Sequence, residues 1–191
     1  ANFTRLALTS LNRANQGVLA VFDVNGRLGS SERLTPTNIF GVTAASALTN
    51  GILAPSIIEV TADNVAAFVT VSGGSLAPYT GATVASLSGL QPTGIANLSA
   101  AQTLSGLNSI YALRTASNIS GGTLRVQSVS TGTMGGLLLN ANAGVAPIVS
   151  SNLIFGDATQ STGGGSAASG EGLVYVSGGT ATLSGNLWAN N

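Results

Sequence analysis

Apolar positions in this chain recur in short alternating runs broken by Gly, Ser, Thr and Asn, and the pattern is clearest from Ile119 to Asn140. There Leu124 and Val126 alternate with Arg125 and Gln127 after Gly121-Gly122, which predicts a strand with one apolar face. A Ser/Thr/Gly turn at 130–136 follows, then the apolar run Leu137-Leu138-Leu139. Neither run is long enough for a helix. The phrases Ser72-Gly73-Gly74-Ser75 and Ser177-Gly178-Gly179-Thr180 repeat the punctuation. One kind of β unit used repeatedly is the expectation.

In chain order, apolar-polar stretches at Phe3 to Leu11 and Val18 to Val24 are separated by a polar stretch at 12–17. Asn25-Gly26 between β-like runs is a strong hairpin signal, because both residues tolerate positive φ. Asp23 and Arg27 beside it read as a solvated pair. Residues 30–46, with Pro36 and a polar cluster, predict a loop leading into a strand at Ile39 to Val42. Asn50-Gly51 is a second tight turn. Residues 62–70 fit either a helix capped by Asp63 or a strand; the β-branched surroundings and the Gly73-Gly74 turn favour the strand.

From 84 to 126, short segments centred on Leu87, Leu98, Leu104, Ile110 and Leu124 alternate with Ser-Gly, Pro-Thr-Gly, Ser-Gly-Leu-Asn and Ser-Gly-Gly. Turns this frequent predict an all-β chain. Two architectures compete. A β-sandwich needs antiparallel hairpins throughout, whereas a β-solenoid stacks short parallel strands around small apolar side chains. Small turn residues, few aromatics and imperfectly repeated phrases favour the solenoid. The Ser-Gly-Gly phrases at 72, 120 and 177 would be two coils apart for coils of about 20 to 30 residues. Residues 157–172 read as a flexible Gly/Ser-rich loop, and the whole of 1–191 as a single elongated domain, complete or a segment of a longer chain. The first residue is Ala, which fits a processed or truncated start.

Composition narrows function. Only 6% of the 191 residues are charged, against about 25% in soluble domains, while 44% are hydrophobic. Six Arg are balanced by six acids, so no basic field exists to gather nucleic acid. Eight of those charges lie between Arg5 and Asp63, and none lies from Asn64 to Leu113. Surfaces this neutral repel their own copies poorly. No apolar run has the length of a membrane span.

The chain has no Cys, no His and no Lys. Thiolate sites, a Ser-His triad and a phosphate-binding loop at Gly163-Gly164-Gly165 fail on inventory. Of the acids Asp23, Glu32, Glu59, Asp63, Asp157 and Glu171, only Glu59 and Asp63 are spaced to share a side of one element. Exposed acids near a turn is their plainer reading. Arg114 and Arg125 could be neighbours on adjacent coils, but keeping a polar outer face soluble is their plainer reading. Tyr79, Tyr111, Tyr175 and Trp188 are candidates for stacking on sugars, though strand positions suit them better. Asn2, Asn97 and Asn118 stand in Asn-x-Ser/Thr sequons. No catalytic, cofactor or metal residue is assigned.

Three phrases carry a family resemblance: Ala47-Leu48-Thr49-Asn50-Gly51-Ile52-Leu53; Asn118-Ile119-Ser120-Gly121-Gly122-Thr123-Leu124; and Val176-Ser177-Gly178-Gly179-Thr180 with Leu183-Ser184-Gly185-Asn186. They resemble proteins bearing autotransporter-associated β-strand repeats, large exported bacterial proteins. The resemblance implies a parallel β-helix displayed outside the cell. The repetitive Asn-Thr-Tyr-Thr-Gly-Gly phrase of that family does not occur here. The expected role is a non-enzymatic extracellular or cell-surface structural protein: a fibre, sheath or adhesin shaft. Its expected partners are copies of itself or further repeats of the same chain, with surface glycans as further candidates. A carbohydrate-binding or carbohydrate-cleaving β-helix is the alternative, and needs at least two acids to converge in a groove. An ice-binding solenoid would need a regular ladder of outward Thr, which the sequence does not show.

Overall fold

The structure is a computed structural model that describes residues 4–15, 17–128, 134–141, 144–157 and 172–189, with the backbone alone at 127, 128, 157 and 189. Among these residues the chain forms 18 strands and no helix. It is all-β, as the short alternating runs predict. Where one domain is expected over 1–191, the chain divides into two compact units, Ala1–Thr80 and Gly81–Asn191.

The first unit contains β1 (Thr4–Leu11), β2 (Leu19–Asp23), β3 (Glu32–Ile39), β4 (Val42–Thr43), β5 (Ile57–Thr61), β6 (Ala66–Ser72) and β7 (Ser75–Pro78). Its sheets have the orders β1-β3-β4 and β2-β5-β6-β7. β1 pairs parallel with β3, and β2 parallel with β5; the remaining pairs are antiparallel. Ile39, Leu53, Ile57, Val69 and Leu76 form its core. Burying a side chain of this kind contributes about 1.5–3 kcal/mol before entropy is counted.

Local signals in this unit hold unevenly. Asn50 and Gly51 both have positive φ, 53° and 92°. Around them Thr49 and Ile52 exchange backbone hydrogen bonds of 2.7 and 3.1 Å. The strand reading of 62–70 holds from Ala66, while Ala62 and Asp63 lie in the turn before β6. Asn25-Gly26 also lies in a turn, but no hairpin forms there: β2 pairs with β5 and β3 with β1. In the stretch 30–46, strand forms earlier than expected, as β3 from Glu32 to Ile39, and the strand expected at Ile39 to Val42 is instead the turn that joins β3 to β4. Pro36 is accommodated because, among the described residues, only Asn38 and Ile39 of β3 pair with β4.

The second unit contains β8 (Thr83–Val84), β9 (Ile95–Leu98), β10 (Gln102–Ile110), β11 (Ala112–Thr115), β12 (Ile119–Ser128), β13 (Gly135–Asn140), β14 (Ile148–Val149), β15 (Asn152–Asp157), β16 (Gly172–Ser177), β17 (Thr182–Leu183) and β18 (Leu187–Ala189). One sheet has the order β16-β13-β11-β9-β8, and the other is built of β17, β14, β12, β15 and β18 with β10 beside β12. From β9 to β14 the chain alternates between the two sheets strand by strand, and thereafter β14 with β15, and β17 with β18, fall in one sheet on either side of β16 in the other. Every described pairing in this unit is parallel. The antiparallel hairpins that a sandwich requires are not among them.

Stacking is in register. Ile95, Ala112, Gly136 and Leu173 follow one another across the first sheet. Leu98, Leu113, Leu137 and Leu139 from that sheet share a buried cluster with Leu104, Ile119, Leu124, Val149 and Leu153 from the other. β13 is buried at every position, which suits a central parallel strand covered on both faces.

The three Ser-Gly-Gly phrases are not equivalent, so they do not mark a period. The first turns the β6–β7 hairpin, the second lies inside β12, and the third bends the chain after β16. At the second, β10 and β12 shift register between Leu104 and Leu107. Gly121 there has φ of 67°, and a Cβ would stand 2.7 Å from the Leu104 carbonyl oxygen. Ser105 to Asn108, expected as a separator, runs through β10 at this bulge. The flexible loop expected at 157–172 falls on 158–171, outside the described residues.

Candidate functional site

Two acids converge, but not the two that sequence spacing singled out. Glu59 is buried within β5, while Asp63 is exposed in the turn that follows. Parallel pairing of β2 with β5 places Val21 beside Glu59 and Asp23 beside Thr61. Asp23 and Glu59 thereby share the side of their strands that carries Leu19, Val21 and Ile57 toward the core. They are 1% and 2% exposed. Asp23 is no solvated residue at a turn mouth, as the sequence had it read.

The Asp23 carboxylate organises the turn after β2. Its Oδ2 accepts a 2.7 Å hydrogen bond from the Leu28 N–H, and its Oδ1 a 3.2 Å bond from the Asn25 N–H. Burial pushes this carboxyl up, but hydrogen bonds from the backbone at Leu28, Arg27 and Asn25 and from the Glu59 side chain hold it below its ordinary value. The Glu59 side chain, diagonal to it across the β2–β5 pairing, is thus its side-chain partner. Glu32 turns outward and accepts from Asn25 Nδ2 at 2.9 Å. The side chain of Asp157 and all of Glu171 lie outside the described residues.

The other candidates separate. Arg114 is on β11 and Arg125 on β12, strands of different sheets. Arg114 Nε donates to Asn97 Oδ1 at 3.2 Å, while Asn97 Nδ2 donates to Thr83 Oγ1 at 3.3 Å. Tyr111 is buried, Tyr79 and Tyr175 are half-buried, and Trp188 is exposed. Tyr175 and Trp188 belong to different sheets, so no aromatic platform is assembled from them. Asn118 Oδ1 accepts from the Ile148 N–H at 2.9 Å, and Asn152 Oδ1 from the Asn186 N–H at 3.2 Å. These side chains bind successive layers together. Asn2 lies outside the described residues. Among the described residues, no three acids, His or Cys gather as metal ligands, and no helix is long and apolar enough to cross a membrane.

Several strand edges are left without a neighbour among the described residues. Among the described residues β16 pairs only with β13, β17 only with β14 and β18 only with β15. Val176 stacks on Leu139, Leu183 on Val149 and Leu187 on Leu153. The underlying residues are at most 2% exposed, whereas Val176 and Leu183 are 39% and Leu187 60% exposed. No charged residue occurs from 172 onward. Natural edge strands are ordinarily blunted by Lys, Pro or a bulge. In the first unit β1 and β2 are likewise paired, among the described residues, on one side only, by β3 and β5, and expose Leu6 and Phe22.

Compared with known protein families, curated proteins and solved structures, the chain finds no match.

Proposed function

We propose that this chain is a β-solenoid segment of an extracellular, non-enzymatic structural protein: a fibre, sheath or adhesin shaft that works by stacking β coils. The alternation between two parallel sheets, with in-register ladders such as Leu113–Leu137 and Leu124–Leu153, carries this reading. Each turn of such a stack presents the next with a row of N–H and C=O groups and the open end of an apolar interior. The edge at β16 to β18 leaves both unfinished. It is completed by a further coil of the same polypeptide or by the β1 and β2 edge of another copy.

Low charge supports the same role, because successive layers then meet without electrostatic repulsion. The carbohydrate-cleaving alternative draws nothing from Asp23 and Glu59, which are buried, with the Asp23 carboxylate committed to the turn after β2.

Sedimentation of the chain over a wide concentration range, beside the variant V176K/L187K, tests the proposal. Growth into long species by the wild type, and its loss in the variant with unchanged circular dichroism, is the expected result. The intact mass of the native polypeptide decides between the two ways of completing the edge. A native mass near 18.7 kDa, combined with a monomer at every concentration, sinks the stacking role.

A further inference from the structure

Each unit carries one large aromatic side chain at an unpaired strand edge. Among the described residues β2 pairs only with β5, and β18 only with β15. Leu19 and Val21 turn toward the core of the first unit, so Phe22 stands on the opposite face of β2. Trp188 lies in register with Ile154 and Arg125, on the face of its sheet opposite Leu124 and Leu153 of the buried cluster. Phe22 is 68% and Trp188 44% exposed, the most exposed aromatic residues among those described. Neither strand carries a Pro or an outward charge to blunt its edge. The strands opposite them are incomplete on the interior side. Leu6 of β1 lies in register with Leu34, which packs against the core, yet it is 58% exposed. Val174 and Val176 of β16 lie in register with the buried Leu137 and Leu139, and nothing described covers their far side.

We propose that the partner at these edges is a second copy of this chain, docked head to tail. β18 of one copy pairs parallel with β2 of the next, Trp188 beside Phe22, and β16 lies beside β1. The inference rests on the stacking role and names its partner. A further coil of the same polypeptide would finish the β16 to β18 edge and leave β1 and β2 open, whereas a second copy finishes both kinds of edge in one contact. Face alternation selects the register. With Trp188 beside Phe22, Leu187 falls beside Val21 and both close over the interior; a slip of one residue would turn Trp188 inward. A slip of two keeps the faces but sets Trp188 beside Ala20 and forfeits the aromatic pair. On the other sheet, Val174 beside Leu6 and Val176 beside Leu8 continue the interior in the same way. No like charges meet, because none occurs from 172 onward. The two edges differ, so every docked copy still offers one free edge of each kind and growth continues.

The chain has no Cys, so engineered pairs report cleanly. In-register Cα atoms on neighbouring strands are about 5 Å apart, within the span of a disulfide. The proposed register sets Asn186 beside Ala20. A mixture of Ala20→Cys and Asn186→Cys chains, which keeps the aromatic pair, should therefore cross-link into heterodimers under mild oxidation. Ala20→Cys with Trp188→Cys, about 8 Å apart in this register, should not. Phe22→Ala and Trp188→Ala, both at exposed positions, each weaken self-association about fivefold in sedimentation, with unchanged circular dichroism. Long species that form without the Ala20–Asn186 cross-link, or with the cross-link at Trp188 in its place, overturn the docking and leave the stacking role standing. So does a chain that stays monomeric while the native polypeptide far exceeds 18.7 kDa, because its own further coils then fill the edge. A native mass near 18.7 kDa with a monomer at every concentration sinks both.

Discussion

Glu59 of β5 hydrogen-bonds Asp23 of β2 across a parallel strand pair, and both carboxyls are out of solvent. Asp23 also receives the N–H groups of Leu28 and Asn25, so one ionised carboxylate anchors a turn and a strand together. The two acids have different roles despite similar burial: Asp23 anchors the turn, whereas Glu59 supports Asp23. Asp23→Asn loses the second acceptor oxygen and sets an N–H₂ group against a backbone donor. Chemical denaturation at neutral pH should show a loss of about 1–3 kcal/mol. Glu59→Gln offers an N–H₂ donor to the Asp23 carboxylate and should stay within about 1 kcal/mol of wild type. Equal losses in the two variants would refute this division of roles.

The same carboxylate sets an acid limit. Its folded-state pKa lies below the ordinary 3.8, so the folded protein holds the ionised form more strongly than the unfolded chain does. Its stabilisation is complete above that ordinary value and is lost as pH falls through the lower folded-state value. Denaturation midpoints measured from pH 5 down to pH 2 should therefore fall for wild type. They should fall less for Asp23→Asn.

Gly121 and Gly26 have nearly the same φ, 67° and 62°, in different surroundings. A Cβ at Gly26 meets nothing within 4 Å, whereas at Gly121 it approaches the Leu104 carbonyl oxygen. Gly26→Ala should cost about 1–2 kcal/mol, the conformational term alone. Gly121→Ala should cost clearly more, because the bulge between β10 and β12 must open. Thermal unfolding of the two variants measures the difference.

Leu137 belongs to the buried cluster of the second unit and Leu187 pairs with Leu153 of that cluster, but the first is fully buried and the second 60% exposed. Leu137→Ala should destabilise by about 2–5 kcal/mol through lost contacts and a cavity. Leu187→Ala in the isolated chain should cost well under 1 kcal/mol. Under conditions where copies stack, the cost at Leu187 should rise toward that of a core residue, and sedimentation would reveal it as weakened assembly.

Ser56→Ala removes a buried hydroxyl that has no partner. It should raise stability by about 1 kcal/mol, against the usual direction of core substitutions. A loss of stability would mean that the hydroxyl is satisfied in solution.

What the sequence by itself determined is local. Asn50-Gly51 makes its turn because two adjacent residues tolerate positive φ, and the β runs form because short alternating Val, Leu and Ile stretches bounded by glycine suit nothing longer. Which strands pair was decided by tertiary structure. Asn25-Gly26 carries the same turn signal as Asn50-Gly51, yet the chain leaves it to place β2 on β5, where Leu19 and Val21 reach the core. The repeated Ser-Gly-Gly phrase likewise serves as hairpin turn, bulge and bend, because glycine permits each conformation and only the neighbouring strand selects among them. The meeting of Asp23 with Glu59 was illegible for the same reason: it depends on parallel register between strands distant in sequence. Register is set by which faces are buried together, a property of the packed chain and of no short stretch of it.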